Sequence, residues 1–283
     1  MAAIPAVDDE LRSKTIDTAA CLIIGDETRD KNSNTMAKWC FNLGISLRRI
    51  EVIPDDEDDI VEAVRRMSER YDFVVTSGGI GPTHDDITYK SVAKAFGLPL
   101  VLHDEAYARM KKLHKPRRDS PSFNWDEDTP VRRAKLRMVE LPTDAKLPLE
   151  GQAIFPCDDL FVPVAVVNGN VHILPGVPTL FDKLLEGLTP SIQSRVGKPM
   201  FRVNILTRLS ESAIAEYLTA AAESLESKGI KVGSYPQIGR GAKNTVTLVG
   251  KDADYIKSIT PDVAHNIQGE VVESEPDASG ASS

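Results

Sequence analysis

The chain has 283 residues, 41% hydrophobic and 27% charged, a mix that excludes wholesale disorder and fibrous repeats and allows roughly two folded domains. Its 34 basic and 42 acidic residues leave a net charge of −8, which disfavours broad contact with nucleic acid or an anionic membrane surface. Three cysteines, Cys21, Cys40 and Cys157, without C-x-x-C spacing, give no support to a disulfide framework or a structural zinc site and suit a reducing compartment.

Residues 1–17 read as an N-terminal extension with neither a basic nor an apolar signal region, and no stretch approaches the roughly 18 apolar residues of a membrane span, so a cytoplasmic protein is expected. A strand through residues 19–24 ends at Gly25. Asn32 and Ser33 are expected to cap a helix whose apolar positions Met36, Trp39, Cys40 and Leu43 recur at helical spacing before Gly44. A strand through Leu47, Ile50 and Val52 breaks at Pro54, an acidic run opens a helix carrying Ile60, Val61, Val64 and Met67, and residues 73–76 form the next strand. This alternation predicts an α/β fold, a three-layer, mostly parallel sheet, with ligands at the carboxyl ends of the strands.

From about residue 104 to 150 the rhythm is lost, as in an insertion. Lys111 to Arg137 holds nine Lys or Arg against four Asp or Glu, which reads equally as a solvated loop or as a segment that steers phosphate, with Arg132 and Arg133 its test residues. Val164 to Val167, Asn168-Gly169 and Val171 to Leu174 predict a β-hairpin. Residues 179–188 read as a helix, 190–198 as a linker, 199–268 as a small C-terminal α/β domain, and 269–283 as a disordered tail.

The chemistry concentrates between residues 76 and 88. Gly78, Gly79 and Gly81 allow close backbone approach to a ligand, and Ser77 and Thr83 offer hydroxyls. Asp85 and Asp86 would repel a phosphate unless a hard cation lies between, so the combination points to metal-assisted phosphate chemistry. The alternative role for one of these aspartates is helix capping. His84 reads as exposed, and no motif supplies an obvious nucleophile.

The run from Gly78 to Thr88 resembles the signature of the molybdopterin-binding-like family of MoaB, MogA, gephyrin and CinA, in the form carried by CinA and by the matching domain of animal FAD synthases. The blocks Ile24 to Glu27, Val52 to Asp56, Leu174 to Pro178 and Gly233 to Pro236 follow in family order, so the resemblance spans about residues 18 to 270. It implies a MoaB/MogA-like catalytic domain over 18–190 and, in stand-alone relatives, a pyrophosphatase that cleaves FAD or a related dinucleotide to FMN and AMP. The alternatives are molybdopterin binding or adenylylation in molybdenum-cofactor assembly, and a catalytically silent nucleotide-binding module.

By the same resemblance Asp86 and Asp55 are the catalytic and metal-holding pair, with Asp85 and Asp56 as adjacent alternatives and Glu27 as a further metal ligand or an exposed loop acid. Ser77, Gly78, Gly79, Gly81 and Thr83 would bind substrate, with Pro175 and Gly176 shaping the opposite wall. The implied cofactor is a divalent cation, Mg²⁺ or Co²⁺, with K⁺ a further candidate; the implied partner is a small dinucleotide, and a homo-oligomer is left open. One departure is clear: only Thr28 and Arg29 separate Glu27 from Asp30, where relatives carry a longer, glycine-containing loop.

Overall fold

The computed structural model describes residues 14–26, 30–114, 123–236 and 243–272. Contacts divide the chain into two units, 1–197 and 198–283.

The first unit is built on a six-stranded sheet of β1 (Thr18–Ile24), β2 (Ser46–Ile53), β3 (Phe73–Gly78), β6 (Ala153–Ile154), β7 (Val164–Val167) and β8 (Val171–Pro175), ordered β2-β1-β3-β8-β7-β6. β2, β1, β3 and β8 run parallel, and β7 runs against them. The period-two alternation of β1 explains the three layers. Ala20, Leu22 and Ile24 enter one core with Ile60, Val64 and Met67 of α2 (Glu57–Arg70) and Val92 and Phe96 of α3 (Thr88–Phe96). Ala19, Cys21 and Ile23 enter the other with Met36 and Trp39 of α1 (Asn32–Asn42) and Phe181, Leu184 and Leu188 of α6 (Pro178–Ile192). The hairpin turn takes positive φ at Asn168 (51°) and Gly169 (70°), the conformation this residue pair favours.

The expected insertion folds. β4 (Leu100–Leu102) pairs antiparallel with β5 (Glu140–Pro142), and α4 (Asp104–Leu113) and α5 (Pro130–Leu136) lie between them. Ala106, Met110 and Val139 form a small core there with Tyr107 and Trp125. The sequence rhythm is lost because these elements are short, not because the segment is structureless.

Three boundaries move. The extension 1–17 contributes Ile16, fully buried, whose amide donates to the Arg195 carbonyl at 2.8 Å. The expected linker after Leu188 continues as helix through Pro190 to Ile192, because Ile192 is buried in the core and Pro190 stands near the helix end, where one lost backbone bond costs little. The expected tail begins as a strand: Gly269–Val272 forms β12 and pairs with β9 (Phe201–Thr207), which offers an open edge to its backbone. Residues 273–283 lie outside the described residues.

The second unit is an α/β module. β10 (Lys231–Pro236), β11 (Asn244–Gly250), β9 and β12 form an antiparallel sheet in the order β10-β11-β9-β12. Ile205, Val246 and Leu248 of this sheet pack with Ile214 of α7 (Glu211–Glu226) and Ile256 of α8 (Ala253–Asn266). Among the described residues no helix is long and apolar enough to cross a membrane.

Candidate functional site

Because β1, β2, β3 and β8 are parallel, their carboxyl ends lie at one edge of the sheet. A pocket of about 400 Å³ opens there, lined among others by Asp26, Asp30, Asn32, Asp55, Ser77 and Gly176.

Asp55 follows β2 after Pro54. Its amide donates to Asp26 Oδ1 at 3.2 Å, and its own Oδ1 is buried with no hydrogen-bond partner among the described residues. Burial lifts the Asp55 carboxyl above its ordinary range, the Asp26 backbone amide opposes this, and the charges of Asp26, Asp85 and Asp86 push it up further. Asp56 is the N-cap of α2, accepting from the amides of Asp58 (2.9 Å) and Asp59 (3.1 Å). The two adjacent aspartates therefore divide the work, one closing a helix end and one facing the pocket.

Ser77 is buried and reaches the pocket. Gly78 pairs with Pro175, and the Gly176 amide donates to the Gly78 carbonyl at 2.9 Å, so β8 carries its wall directly onto the glycine loop. Asp86 does not line the pocket. Its Oδ2 accepts from the Thr83 amide at 2.8 Å and from the Thr83 hydroxyl, closing the loop on itself. The alternative of an aspartate capping α3 is not what the structure has: Ile87 occupies the N-cap without any side-chain bond, and Asp86 is engaged by Thr83. Asp85 and His84 are exposed, and Glu27 lies outside the described residues.

The glycines answer to more than a ligand. A Cβ on Gly81 would stand 2.6 Å from Asp86 Oδ2, one on Gly79 would stand 2.7 Å from Asp86 Oδ1 and 3.1 Å from the Asp86 Cα, and one on Gly78 would meet Thr88 Oγ1 at 2.7 Å and Ile24 Cβ at 2.9 Å. Gly176 has room, its nearest neighbours being 3.6 Å away. Gly78→Ala is thus expected to lower stability by about 1–3 kcal/mol through overpacking, and Gly176→Ala by less than about 0.5 kcal/mol. Urea denaturation of both variants checks this; equal losses would show that the spacing at Gly78 is not what its neighbours require.

Sequence reasoning treated Asn32 as a cap. The bond to the Ser33 amide comes instead from Asp30 Oδ1 at 3.0 Å, and Asn32 is buried, its Nδ2 donating to Ser77 Oγ at 2.8 Å and to the Gly176 carbonyl at 2.9 Å. Lys31 stands at the N-cap without a side-chain bond; the available signal was Asp30, three residues before Ser33, whose carboxylate takes that amide and leaves Asn32 for another role. Of the basic segment, Arg132 donates to the Trp125 carbonyl at 2.7 Å and Arg133 to Asp128 at 2.7 Å, both within the segment itself. Arg137 instead reaches the carbonyls of Pro82 and Asp86, each at 3.4 Å, on the glycine loop. Among the described residues no cluster of three or more His, Cys, Asp or Glu is arranged to hold a metal ion.

A sequence family described as a probable molybdopterin binding domain matches residues 3–194, and one described as the middle domain of FAD synthase matches 199–276. The chain is 32% identical over 268 residues to a probable FAD synthase of Caenorhabditis elegans, covering 90% of this chain and 51% of that one. It is 30% identical over 241 residues to a CinA-like protein of Geotalea uraniireducens, covering 77% of this chain and 51% of that one. Among solved structures it resembles a CinA protein of unknown function from Thermoplasma acidophilum, at 30% identity and a TM-score of 0.50, covering 62% of this chain and 98% of that chain. The chain spans about half the length of the curated FAD-synthase relatives it matches.

Proposed function

The chain belongs to the probable molybdopterin binding domain family and carries a FAD-synthase-like C-terminal module, and from that premise we propose that its pocket binds a phosphate-bearing nucleotide of the FAD kind. The observation that carries this reading is the convergence of Asn32, Asp55, Ser77 and Gly176 beside a glycine loop at the carboxyl ends of parallel strands. The C-terminal module supports a flavin nucleotide over molybdopterin.

The unpartnered Oδ1 of Asp55 favours a second step, cleavage of the FAD pyrophosphate to FMN and AMP. A buried carboxylate oxygen with no described donor suits a hard cation, and a site of one or two carboxylates completed by substrate phosphates is usual for Mg²⁺. Asp55, with Asp26 beside it, would hold that ion. When bound, such a cation neutralises pyrophosphate oxygens and makes the phosphorus open to water. The remaining work falls to the chain. Ser77, which accepts from Asn32, keeps its own proton for a phosphate oxygen, and the loop closed by Asp86 and Thr83 keeps the glycine backbone in one conformation before a ligand arrives.

The test is to incubate the purified chain with FAD, ADP-ribose, NAD and molybdopterin, with Mg²⁺ or Co²⁺, and to resolve the products chromatographically while measuring FAD affinity by calorimetry. Equimolar FMN and AMP, abolished by chelation, is the expected result. Saturable FAD binding without products would leave a nucleotide-binding module. Transfer of AMP to molybdopterin would replace hydrolysis by adenylylation, and full turnover after exhaustive chelation would refute the cation.

A further inference from the structure

Asn32 opens α1 and is 4% exposed. Its amide has a determined orientation. The Gly176 carbonyl can only accept, so the group 2.9 Å from it must be the nitrogen. That nitrogen also donates to Ser77 Oγ, and the amide is held between two walls of the pocket. Its oxygen is thereby fixed as an acceptor. Asn32 Oδ1 is buried and has no hydrogen-bond partner among the described residues.

Buried acceptors are completed by a donor. The surroundings say which kind. Asp26, Asp30 and Asp55 line the same pocket, with Lys31 the one basic lining residue among the described residues. Asp26 and Asp55 are the carboxylates assigned above to the cation, which leaves Asp30 beside Asn32 on this wall; a carboxylate without a cation repels phosphate oxygens but accepts hydroxyl protons, the way a carboxylate takes a ribose hydroxyl in dinucleotide sites. Resting on the nucleotide-binding reading above, we propose that this wall is a polyol subsite, in which Asn32 Oδ1 accepts a hydrogen bond from a hydroxyl of the ligand's ribose or ribitol chain. The phosphates then lie toward the glycine loop, and Asn32 links the two halves of the ligand's seat by holding Ser77 and Gly176. Asn32 is a specificity-determining residue: it distinguishes a nucleotide from the same phosphate without its sugar hydroxyls.

The experiment is a cycle over protein and ligand, by calorimetry at fixed Mg²⁺. ADP is compared with 2′,3′-dideoxy-ADP to probe ribose, and FMN with 2′-deoxy-FMN to probe ribitol, on the wild-type chain and on Asn32→Ala. In at least one pair the deoxygenated analogue is expected to bind the wild type about three- to tenfold more weakly, and Asn32→Ala is expected to bind both members equally. A penalty that persists in Asn32→Ala overturns the assignment. So does a wild type that binds both members of each pair equally, and that arm decides the matter even if the variant fails to fold. Failure of ADP, FMN and FAD all to bind the wild type overturns the nucleotide reading and the subsite with it; binding without a hydroxyl penalty overturns the subsite alone.

Discussion

Asp55→Asn is expected to lower cation-dependent release of FMN from FAD by about 100-fold or more while leaving stability unchanged or slightly raised. The rate loss is the scale of removing one preorganised electrostatic contact from a transition state that spreads negative charge over phosphate oxygens. The stability sign follows from burial: the folded chain raises the carboxyl's pKa because the charged form is poorly solvated there, so a neutral amide of the same size relieves a penalty rather than removing a support. A residue present only to hold the loop would give the opposite pattern, normal turnover with reduced stability. Should the wild type bind FAD without cleaving it, the same variant is read by affinity, whose enhancement by Mg²⁺ it should abolish. Wild-type turnover and cation dependence in Asp55→Asn would sink the assignment. Asp86→Asn acts less directly, because Asp86 Oδ2 is already engaged by the Thr83 amide; a variant that retained an acceptor there would keep much of the loop.

The second large effect is on pH. His172 lies in β8, 2% exposed, its ring stacked on Phe73 with centroids 4.1 Å apart. Burial lowers its pKa to about 3, with the Arg195 charge adding to the effect and the Asn170 carbonyl, 3.2 Å from Nδ1, opposing it. The unfolded chain takes up this proton near pH 6.5 and the folded chain only near 3, so the contribution to stability is full above about pH 6.5 and is lost as pH falls toward 3. The loss attributable to this one group is about 2 kcal/mol at pH 5 and about 4 kcal/mol by pH 3. His172→Phe keeps an aromatic ring against Phe73, and the Asn170 carbonyl retains the Val74 amide at 2.8 Å. Both tryptophans, Trp39 and Trp125, belong to the first unit, and their fluorescence reports its unfolding. Urea titrations at pH 7 and 5 should show the wild type losing about 2 kcal/mol more than the variant; parallel losses would assign the acid sensitivity elsewhere.

The sheet was legible where periodicity alone determines a residue's surroundings. Residues 19–24 alternate between two cores because a strand must, and Asn168-Gly169 forms its turn because few other pairs tolerate positive φ twice. Strand-end position predicts that Asp55 and Asp86 both stand at the ligand edge; Asp55 lines the pocket there and Asp86 does not, because its carboxylate turns back onto Thr83. What escaped was direction. Asn32 and Asp30 are both common near helix starts, and only the distant Ser77 and Gly176 decide which of them meets the Ser33 amide and which crosses the pocket. The spacing that ties Gly79 and Gly81 to Asp86 is likewise invisible without the loop's closure. Pro190 and Val271 broke local rules because a buried Ile192 and an open β9 edge outweighed them.

The adjacency of β3 and β8 also has a meaning in time. Their register joins Val74 to Val171 and Gly78 to Pro175, so an emerging chain must expose the fully buried edge of β3 until its partner has been translated. Between Gly78 and Val171 lie 92 residues, or roughly 5–18 s at ribosomal rates of about 5–20 residues per second. During that interval the nascent chain holds a strand whose backbone is half paired, the situation in which a holdase is most useful and a paused ribosome most dangerous. Asn32, made early, waits for Gly176, made late, to complete its pair of acceptors. Ligand capacity should therefore come late as this unit is synthesised, arriving with the strand that protects β3 from aggregation and ahead only of α6 and the Arg195 contact.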